Sequence, residues 1–493
     1  MNTAIKPLSH IVFALLLAAG SAAQASESLS LEEAMAHAVR ANPALLGQHV
    51  EIEKQTLEQD IARGNRLPRI DLNADYTRYA YPTFITPIRD TDVFPPMDRD
   101  IVNLAVALSL PLYSGGKLVA GEALATHNRE AALQSLRASE QDLLFNVAST
   151  YTKALHFREL GKVLDTRITA LQQEEKDVAL RLEQGRAARL DLIRLQTQLS
   201  QARYDKVSVT QGENDARALL AALLGEAGPV PTLAELGGTA PALPDTREVA
   251  LERALARRPD LLRLDAAGLA ARQKTVIARG DRLPQVSLTA KAQESSGGDW
   301  TGYDDWNVGV RLSVPLFDGD IRKRRVDQAA LEQRQVNLQR DDARNRIASE
   351  VEQAFGGLAE ARARLTHATQ GEVEAREALR IETLRYHNGE STITDLLGAE
   401  SALWAAAANR LQAGYDITAS QARLLRAMGE LGPESFGSAA AGDRLAQYLA
   451  WHRCGLGCGE TDEVVTASAV ASSSPRHTAG NHPGHPLQQG ARL

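Results

Sequence analysis

Ala62-Arg63-Gly64-Asn65-Arg66-Leu67-Pro68-Arg69-Ile70-Asp71-Leu72 returns as Ala278-Arg279-Gly280-Asp281-Arg282-Leu283-Pro284-Gln285-Val286-Ser287-Leu288, 216 residues later. Upstream, Pro43 matches Pro259 at the same offset. Downstream, Leu108-Ser109-Leu110-Pro111-Leu112-Tyr113 matches Leu312-Ser313-Val314-Pro315-Leu316-Phe317, and the offset has become 204. Gln184-Gly185 and Asp191-Leu192 match Asn388-Gly389 and Asp395-Leu396 at that second offset, as Leu224-Gly225-Glu226 matches Met428-Gly429-Glu430. The offset changes once, between the two candidate strands of each half. One large unit has been copied once, unlike the short periods of a solenoid, so the fold should have two similar halves.

Each half changes period in the same order. Leu31 to about Arg63, interrupted at Asn42-Pro43, reads as an amphipathic helix, and Arg247 to Arg279 repeats it with Pro259 opening the main part. Ile70, Leu72, Ala74 and Tyr76 then alternate with Asp71, Asn73, Asp75 and Thr77, as Val286, Leu288, Ala290 and Ala292 alternate with polar neighbours. Period two marks strands with one apolar face. Second strands follow at Val102 to Leu110 and Val308 to Val314, so each half should hold a hairpin, about 69–113 and 285–317. Their loops, rich in proline, aspartate and aromatics, are expected over Tyr81 to Arg99 and Ser295 to Asp305.

The longest elements come next. From Lys117 to Glu183 no proline appears, and Leu136, Leu143, Val147, Ala154, Leu164, Leu171 and Val178 recur at helical intervals. Gln184-Gly185 breaks this helix and Leu190 to Leu224 returns. The second half repeats the pattern from Arg322 to Tyr386, with a break at Asn388-Gly389 and a return from Thr394 to Met428. The expected coiled-coil spans are therefore 117–224 and 321–428, within repeats of 26–230 and 231–432.

The ends bound the reading further. Lys6, the apolar run Ile11 to Ala19 and Ala23-Gln24-Ala25 read as a signal peptide over 1–25, with no cysteine after the cleavage site to carry a lipid. Residues 433–493 form an extension whose last part, rich in Ser, Ala, Pro, Gly and His, reads as a disordered tail. Cys454 and Cys458, the only 2 cysteines, can close only a small local loop. His477, His482 and His485 match no structural zinc pattern, so no metal is expected. A net charge of -7 argues against a nucleic-acid binder. No enzyme motif is found, and no cofactor is implied.

Four strands cannot close a membrane barrel, which needs about eight, and an open edge in lipid leaves backbone groups unpaired. Copies must therefore share a barrel: two give eight strands, three give twelve. Helices about 100 Å long likewise have no globular core to cover their apolar stripe. The order of elements, with Ala-Arg-Gly-Asn/Asp-Arg-Leu-Pro, Pro-Leu-Tyr/Phe and Arg385-Tyr386-His387-Asn388-Gly389 before Asp395-Leu396-Leu397, resembles the TolC-like outer-membrane efflux family over Leu31 to Leu431.

That resemblance implies a mainly α fold with a small membrane β part: a homotrimer whose 12-stranded β-barrel lies in the outer membrane of a Gram-negative cell and continues as a long periplasmic α-helical barrel. It implies a passive exit duct of a tripartite efflux or type I secretion system. Its partners would be a periplasmic adaptor, an inner-membrane transporter of RND or ABC type, and outer-membrane lipid. The alternative is a periplasmic coiled-coil scaffold or adaptor without a pore.

The resemblance also places a gate at the helix turns. Tyr386 and Asp191 fall where family members hold a tyrosine–aspartate link, and Asp395 where a ring of aspartates narrows the entrance. Asp191 and Asp395 also suit plain capping of the returning helices. A family arginine matches Ser391 here and a second aspartate matches Gly398, so the closed-state lock is expected either to be weaker or to use Arg186, Arg189 and Glu390 instead. Trp300, Tyr303 and Trp306 are read as interface aromatics, with packing of the loop as the alternative. Arg322-Lys323-Arg324-Arg325 is read as a solvated basic face at the barrel's periplasmic rim, with contact with anionic lipid as the alternative.

Overall fold

The computed structural model describes residues 28–89, 91, 93–237 and 241–436. The expected signal segment, Cys454, Cys458 and the tail histidines lie outside the described residues.

The first copy runs α1 (Leu31–Ala41), α2 (Pro43–Gly64), β1 (Arg69–Phe84), β2 (Met97–Tyr113), α3 (Lys117–Glu183) and α4 (Arg189–Leu224). The second runs α5 (Arg247–Arg257), α6 (Pro259–Gly280), β3 (Gln285–Ser296), β4 (Gly302–Ser313), α7 (Ile321–His387) and α8 (Ile393–Met428), before a 3-10 turn at Pro433–Phe436. The fold is mainly α with a small β part.

Local chemistry fixes the boundaries. Ser30 and Glu33 form a reciprocal capping box at α1: the Glu33 N–H donates to Ser30 Oγ at 3.2 Å and the Ser30 N–H to Glu33 Oε2 at 3.0 Å. Asn42 accepts the Ala44 and Leu45 N–H groups, so Pro43 enters α2 without losing a bond. Both α3 and α7 are 67 residues long, about 100 Å at 1.5 Å per residue. Each ends one residue before a turn that needs a left-handed residue, supplied by Gly185 at φ 73° and Gly389 at φ 79°.

The four strands form one antiparallel sheet in the order β1-β2-β3-β4, so the copies join through β2 and β3. In register, Ile70 faces Leu108, Leu72 faces Val106 and Tyr76 faces Val102, and on the far side Leu288 faces Val310. Ile70, Leu72, Leu104, Val106, Val308, Val310 and Leu312 are exposed on one face. The other face is polar: Asn103 donates to Asp75 at 2.8 Å and Ser295 to Asn103 at 2.7 Å. Among the described residues both edges, β1 and β4, are unpaired.

The first hairpin's strands reach further than the sequence suggests. β1 extends to Phe84 and β2 starts at Met97, within the expected loop. Pro82, inside a run of aromatics at Tyr79, Tyr81 and Phe84 that breaks the alternation, disguises the strand. The register shift between Arg78 and Thr83 absorbs the proline at a sheet edge, where a missing N–H is tolerated. The second loop shrinks likewise to 297–301.

Midway along α3, Tyr151 is fully buried, and its hydroxyl lies 2.7 Å from the carbonyl oxygens of both Leu29 and Ala234. Leu29 bridges Leu233 in parallel, and Arg158 donates to the Leu233 carbonyl at 2.6 Å. The chain before α1 and the linker between copies are thus strapped across the shaft. No described helix is long and apolar enough to cross a membrane.

Candidate functional site

The two helix-to-helix turns lie at the same end of the shaft. Just inside them, Leu171, Val178, Leu195, Leu199 and Ala202 of the first coiled coil pack on Ile393, Leu396 and Leu397 of α8. Such a buried cluster contributes about 1.5–3 kcal/mol per side chain, so it is the main glue between the two coiled coils here. Polar ties surround it. Arg194 of α4 donates to Thr394 Oγ1 at 2.7 Å, and Arg167 of α3 reaches Gln198 Oε1 at 3.3 Å and Ser401 Oγ at 3.5 Å.

Tyr386 is half-buried against that cluster. The Arg181 guanidinium lies 5.4 Å from its ring centre, and Arg181 Nη2 is 2.9 Å from His387 Nδ1. Burial pushes the Tyr386 hydroxyl pKa up, the charges of Glu174 and Asp191 add to this, and Arg181 opposes them. Within the protomer no hydrogen bond joins Tyr386 to Asp191. Asp191 instead accepts the Ala188 N–H at 3.3 Å.

Asp395 is exposed and completes a capping box on α8. The Thr392 hydroxyl donates to Asp395 Oδ2 at 2.7 Å, the Thr392 N–H at 3.2 Å, and Thr392 Oγ1 accepts the Asp395 N–H at 3.3 Å. The Thr392 hydroxyl, with its N–H and Ser391, holds the Asp395 carboxyl below the usual carboxylate range. Ser391 also bonds the Glu382 carboxylate, which Arg385 holds from the other side at 3.0 Å. Arg186 and Arg189, expected as substitutes in the lock, pair with no carboxylate among the described residues; Arg181 and Arg194 link the two copies, and Arg385 ties the end of α7 to its own turn. Glu390 takes part through its carbonyl, which accepts from Arg385 at 3.4 Å.

Deeper in the seam lies a group of polar atoms the sequence did not mark. Glu174 Oε1 and Arg167 Nε of α3 and Trp404 Nε1 of α8 are buried without hydrogen-bond partners. Burial raises the carboxyl pKa of both Glu174 and Glu400. The only signal available was four polar residues on helix faces that otherwise read as seam. Among the described residues no group of three or more His, Cys, Asp or Glu is placed to hold a metal.

An amphipathic sheet with two open edges, continued into paired helices about 100 Å long, defines the class: an envelope protein with a membrane-facing sheet and a helical shaft. The chain belongs to the outer membrane efflux protein family, whose model matches residues 35–226 and 250–430. It is 23% identical over 451 residues to the outer membrane efflux protein BepC of Brucella suis, covering 90% of this chain and 94% of that one. It is 26% identical over 342 residues to the alkaline protease secretion protein AprF of Pseudomonas aeruginosa, covering 66% and 70%. The solved structure of CusC superposes with a TM-score of 0.72 at 18% identity, covering 82% of this chain and 92% of that one. The TolC-like resemblance read from the repeat is borne out.

Proposed function

We propose that three copies of this outer membrane efflux protein form one passive exit duct. Twelve strands would close a barrel in the outer membrane, and the paired helices would line a periplasmic tunnel gated at their turns. A periplasmic adaptor would dock on the shaft, and an inner-membrane transporter would supply the energy, in a tripartite efflux or type I secretion system.

One observation carries the assembly: the copies pack inside the chain in a way the chain cannot complete. α3 packs along α2 of its own copy and α6 of the other, whereas α7 packs along α6 and has no comparable contact with α2. At the first junction Lys117 Nζ bonds Asp281 at 2.9 Å, and Gly115 approaches so closely that a Cβ would lie 2.7 Å from the Gly280 carbonyl oxygen. A Cβ on the counterparts at the second junction, Gly319 and Gly64, would meet nothing within 4 Å beyond their own chain neighbours. Val50 of α2 is 62% exposed while its counterpart Ala266 of α6 is 3% exposed. A neighbouring copy placing its α2 against α7 would satisfy both surfaces and pair β4 with the next β1.

At the tip, the Arg181–Tyr386 contact and the Arg194–Thr394 bond would hold the closed state, and Asp191 would lie within electrostatic reach of Tyr386. Three Asp395 carboxylates brought together by symmetry would favour cations at the entrance. The test is single-channel recording of detergent-extracted protein in a planar bilayer. Discrete steps reduced by trivalent cations are expected; folded protein that never gives steps, and that osmotic shock releases from cells, would favour the poreless scaffold.

A further inference from the structure

At the junction of sheet and shaft the two copies differ in charge. In the first copy Arg63 and Arg66 both bond Glu122, at 2.9 and 2.6 Å. Their counterparts in the second copy are Arg279 and Arg282, but the counterpart of Glu122 is Val326. Neither guanidinium has a hydrogen bond or ion pair among the described residues. The first turn of α7 then adds Arg322, Lys323, Arg324 and Arg325 where α3 has Leu118, Val119, Ala120 and Gly121.

The helices bring these cations together. Lys274 faces Glu332 at 3.9 Å and Asp265 faces Arg340 at 3.4 Å, so α6 and α7 run antiparallel. That register sets Arg279 and Arg282 beside the opening turns of α7. Four carboxylates lie among these cations: Asp281, which Lys117 holds at 2.9 Å, Asp318, which takes the Arg322 guanidinium at 3.1 Å, Asp320, which makes no ion pair among the described residues, and Asp327. Lys323, Arg324 and Arg325 remain exposed and unpaired. Four cations at a helix N-terminus also oppose its dipole, an arrangement that an external anion would relieve.

The patch adjoins apolar surface. Leu316 and Phe317, between β4 and α7, are 92% and 90% exposed, and Leu312 and Val314 continue the exposed face of β4 towards them. A solvated basic face would not need that border.

We propose that Arg279, Arg282, Lys323, Arg324 and Arg325 form a collar that binds anionic phospholipid headgroups of the periplasmic leaflet, with Leu316 and Phe317 entering the acyl boundary beside them. The inference rests on the reading that the strands cross the outer membrane with the shaft on the periplasmic side. The collar sits where phosphate groups of that leaflet lie, and each cation near such a surface adds to attraction. The first copy, with Glu122 neutralising its arginines, has no such collar, so binding would recur once per chain.

Native mass spectrometry of the full-length, delipidated assembly tests this, with equal phosphatidylglycerol and phosphatidylcholine as probes. The expected result is preferential retention of phosphatidylglycerol, falling about fivefold for each cation removed by Lys323→Gln, Arg324→Gln and Arg325→Gln. The pair Arg279→Gln and Arg282→Gln, on the other helix, should reduce retention independently. Equal retention of the two lipids, or unchanged retention in both variants, overturns the proposal. Displacement of the lipid by inorganic phosphate overturns it in favour of a simple phosphate site. Loss of assembly in both variants overturns it in favour of pairing with a neighbouring copy's carboxylates. Bilayer recording of the same samples separates the two readings: normal conductance without lipid preference sinks the collar and leaves the duct, and absent conductance from folded wild-type protein sinks the duct.

Discussion

Arg181, near the end of α3, covers the ring of Tyr386, near the end of α7, with its guanidinium carbon 5.4 Å from the ring centre. The contact ties the descending helix of one copy to that of the other beside the apolar cluster that joins the coiled coils. A cation over an aromatic face contributes about 0.5–2 kcal/mol, enough to shift a closed–open equilibrium several-fold. Arg181→Ala should raise the open probability of the channel in bilayer recordings by about fivefold, with the assembly's thermal stability nearly unchanged. Tyr386→Phe, which keeps the ring, should stay close to wild type. Equal leakage in both variants would shift the weight to the tyrosine hydroxyl.

If the tip gates as proposed, Glu174 and Glu400 should give it a pH dependence with a definite sign. Their carboxyls, raised by burial in the closed seam, favour the neutral form. Arg181 and His387 pull Glu174 down and Asp177 pushes it up; for Glu400, Arg167 lowers and Glu174 raises. The penalty for ionising them is absent below the ordinary value of 4.5 and fully present above the raised one. Closing should therefore be favoured as pH falls through that interval and opening favoured as it rises. Open probability measured across it should climb with pH in the wild type and flatten in Glu174→Gln combined with Glu400→Gln. Asp395 acts in the opposite sense and lower: its depressed carboxyl supports the cap of α8 above 3.8, and that support is lost as pH falls through its lowered value.

The sequence carried the architecture because its signals were local and repeated. Gly185 and Gly389 sit at matching offsets, and each ends a long helix within a residue of where it was read. Alternation at Ile70 to Thr77 placed β1, but Pro82 hid its far end, since strand pairing across a bulge leaves no period to read. The tip's chemistry was less legible. Which residue meets Tyr386 depends on the rotation of α3 about its own axis some two hundred positions away, and Arg181 looked like an ordinary solvated arginine. Arg186 and Arg189 drew attention by lying in the turn itself, where side chains have the least to pack against. Asp191 and Asp395 were found through resemblance, and their cap bonds could be read from Asp in a first helical turn.

Asp395 can be assigned to capping alone or to an entrance ring by a substitution that separates hydrogen bonding from charge. Asp395→Asn keeps an acceptor for the Thr392 hydroxyl and N–H, so α8 should stay capped and the assembly should form normally. In the proposed trimer three symmetry-related charges disappear. Block by a trivalent cation should weaken about tenfold or more if the carboxylates form a ring. Unchanged block in a normally assembled Asp395→Asn protein would leave capping as the residue's whole role.

The unfilled junction makes the sharpest prediction about assembly. Lys117 and Asp281 are bonded within the chain, and their counterparts one copy on are Ile321 and Asn65. If a neighbour repeats the internal packing, Ile321 of one chain lies against Asn65 of the next. In a background carrying Cys454→Ser and Cys458→Ser, Ile321→Cys with Asn65→Cys should oxidise to a ladder ending at three chains on a denaturing gel. Lys117→Cys with Asp281→Cys in the same background should give only a monomer with altered mobility. Both pairs replace side chains at equivalent positions, so the contrast reports which junction is internal. A ladder ending at two chains would mean an eight-stranded barrel, and no ladder from protein that still conducts would mean the neighbouring copy docks on a different face from the one the repeat leaves open.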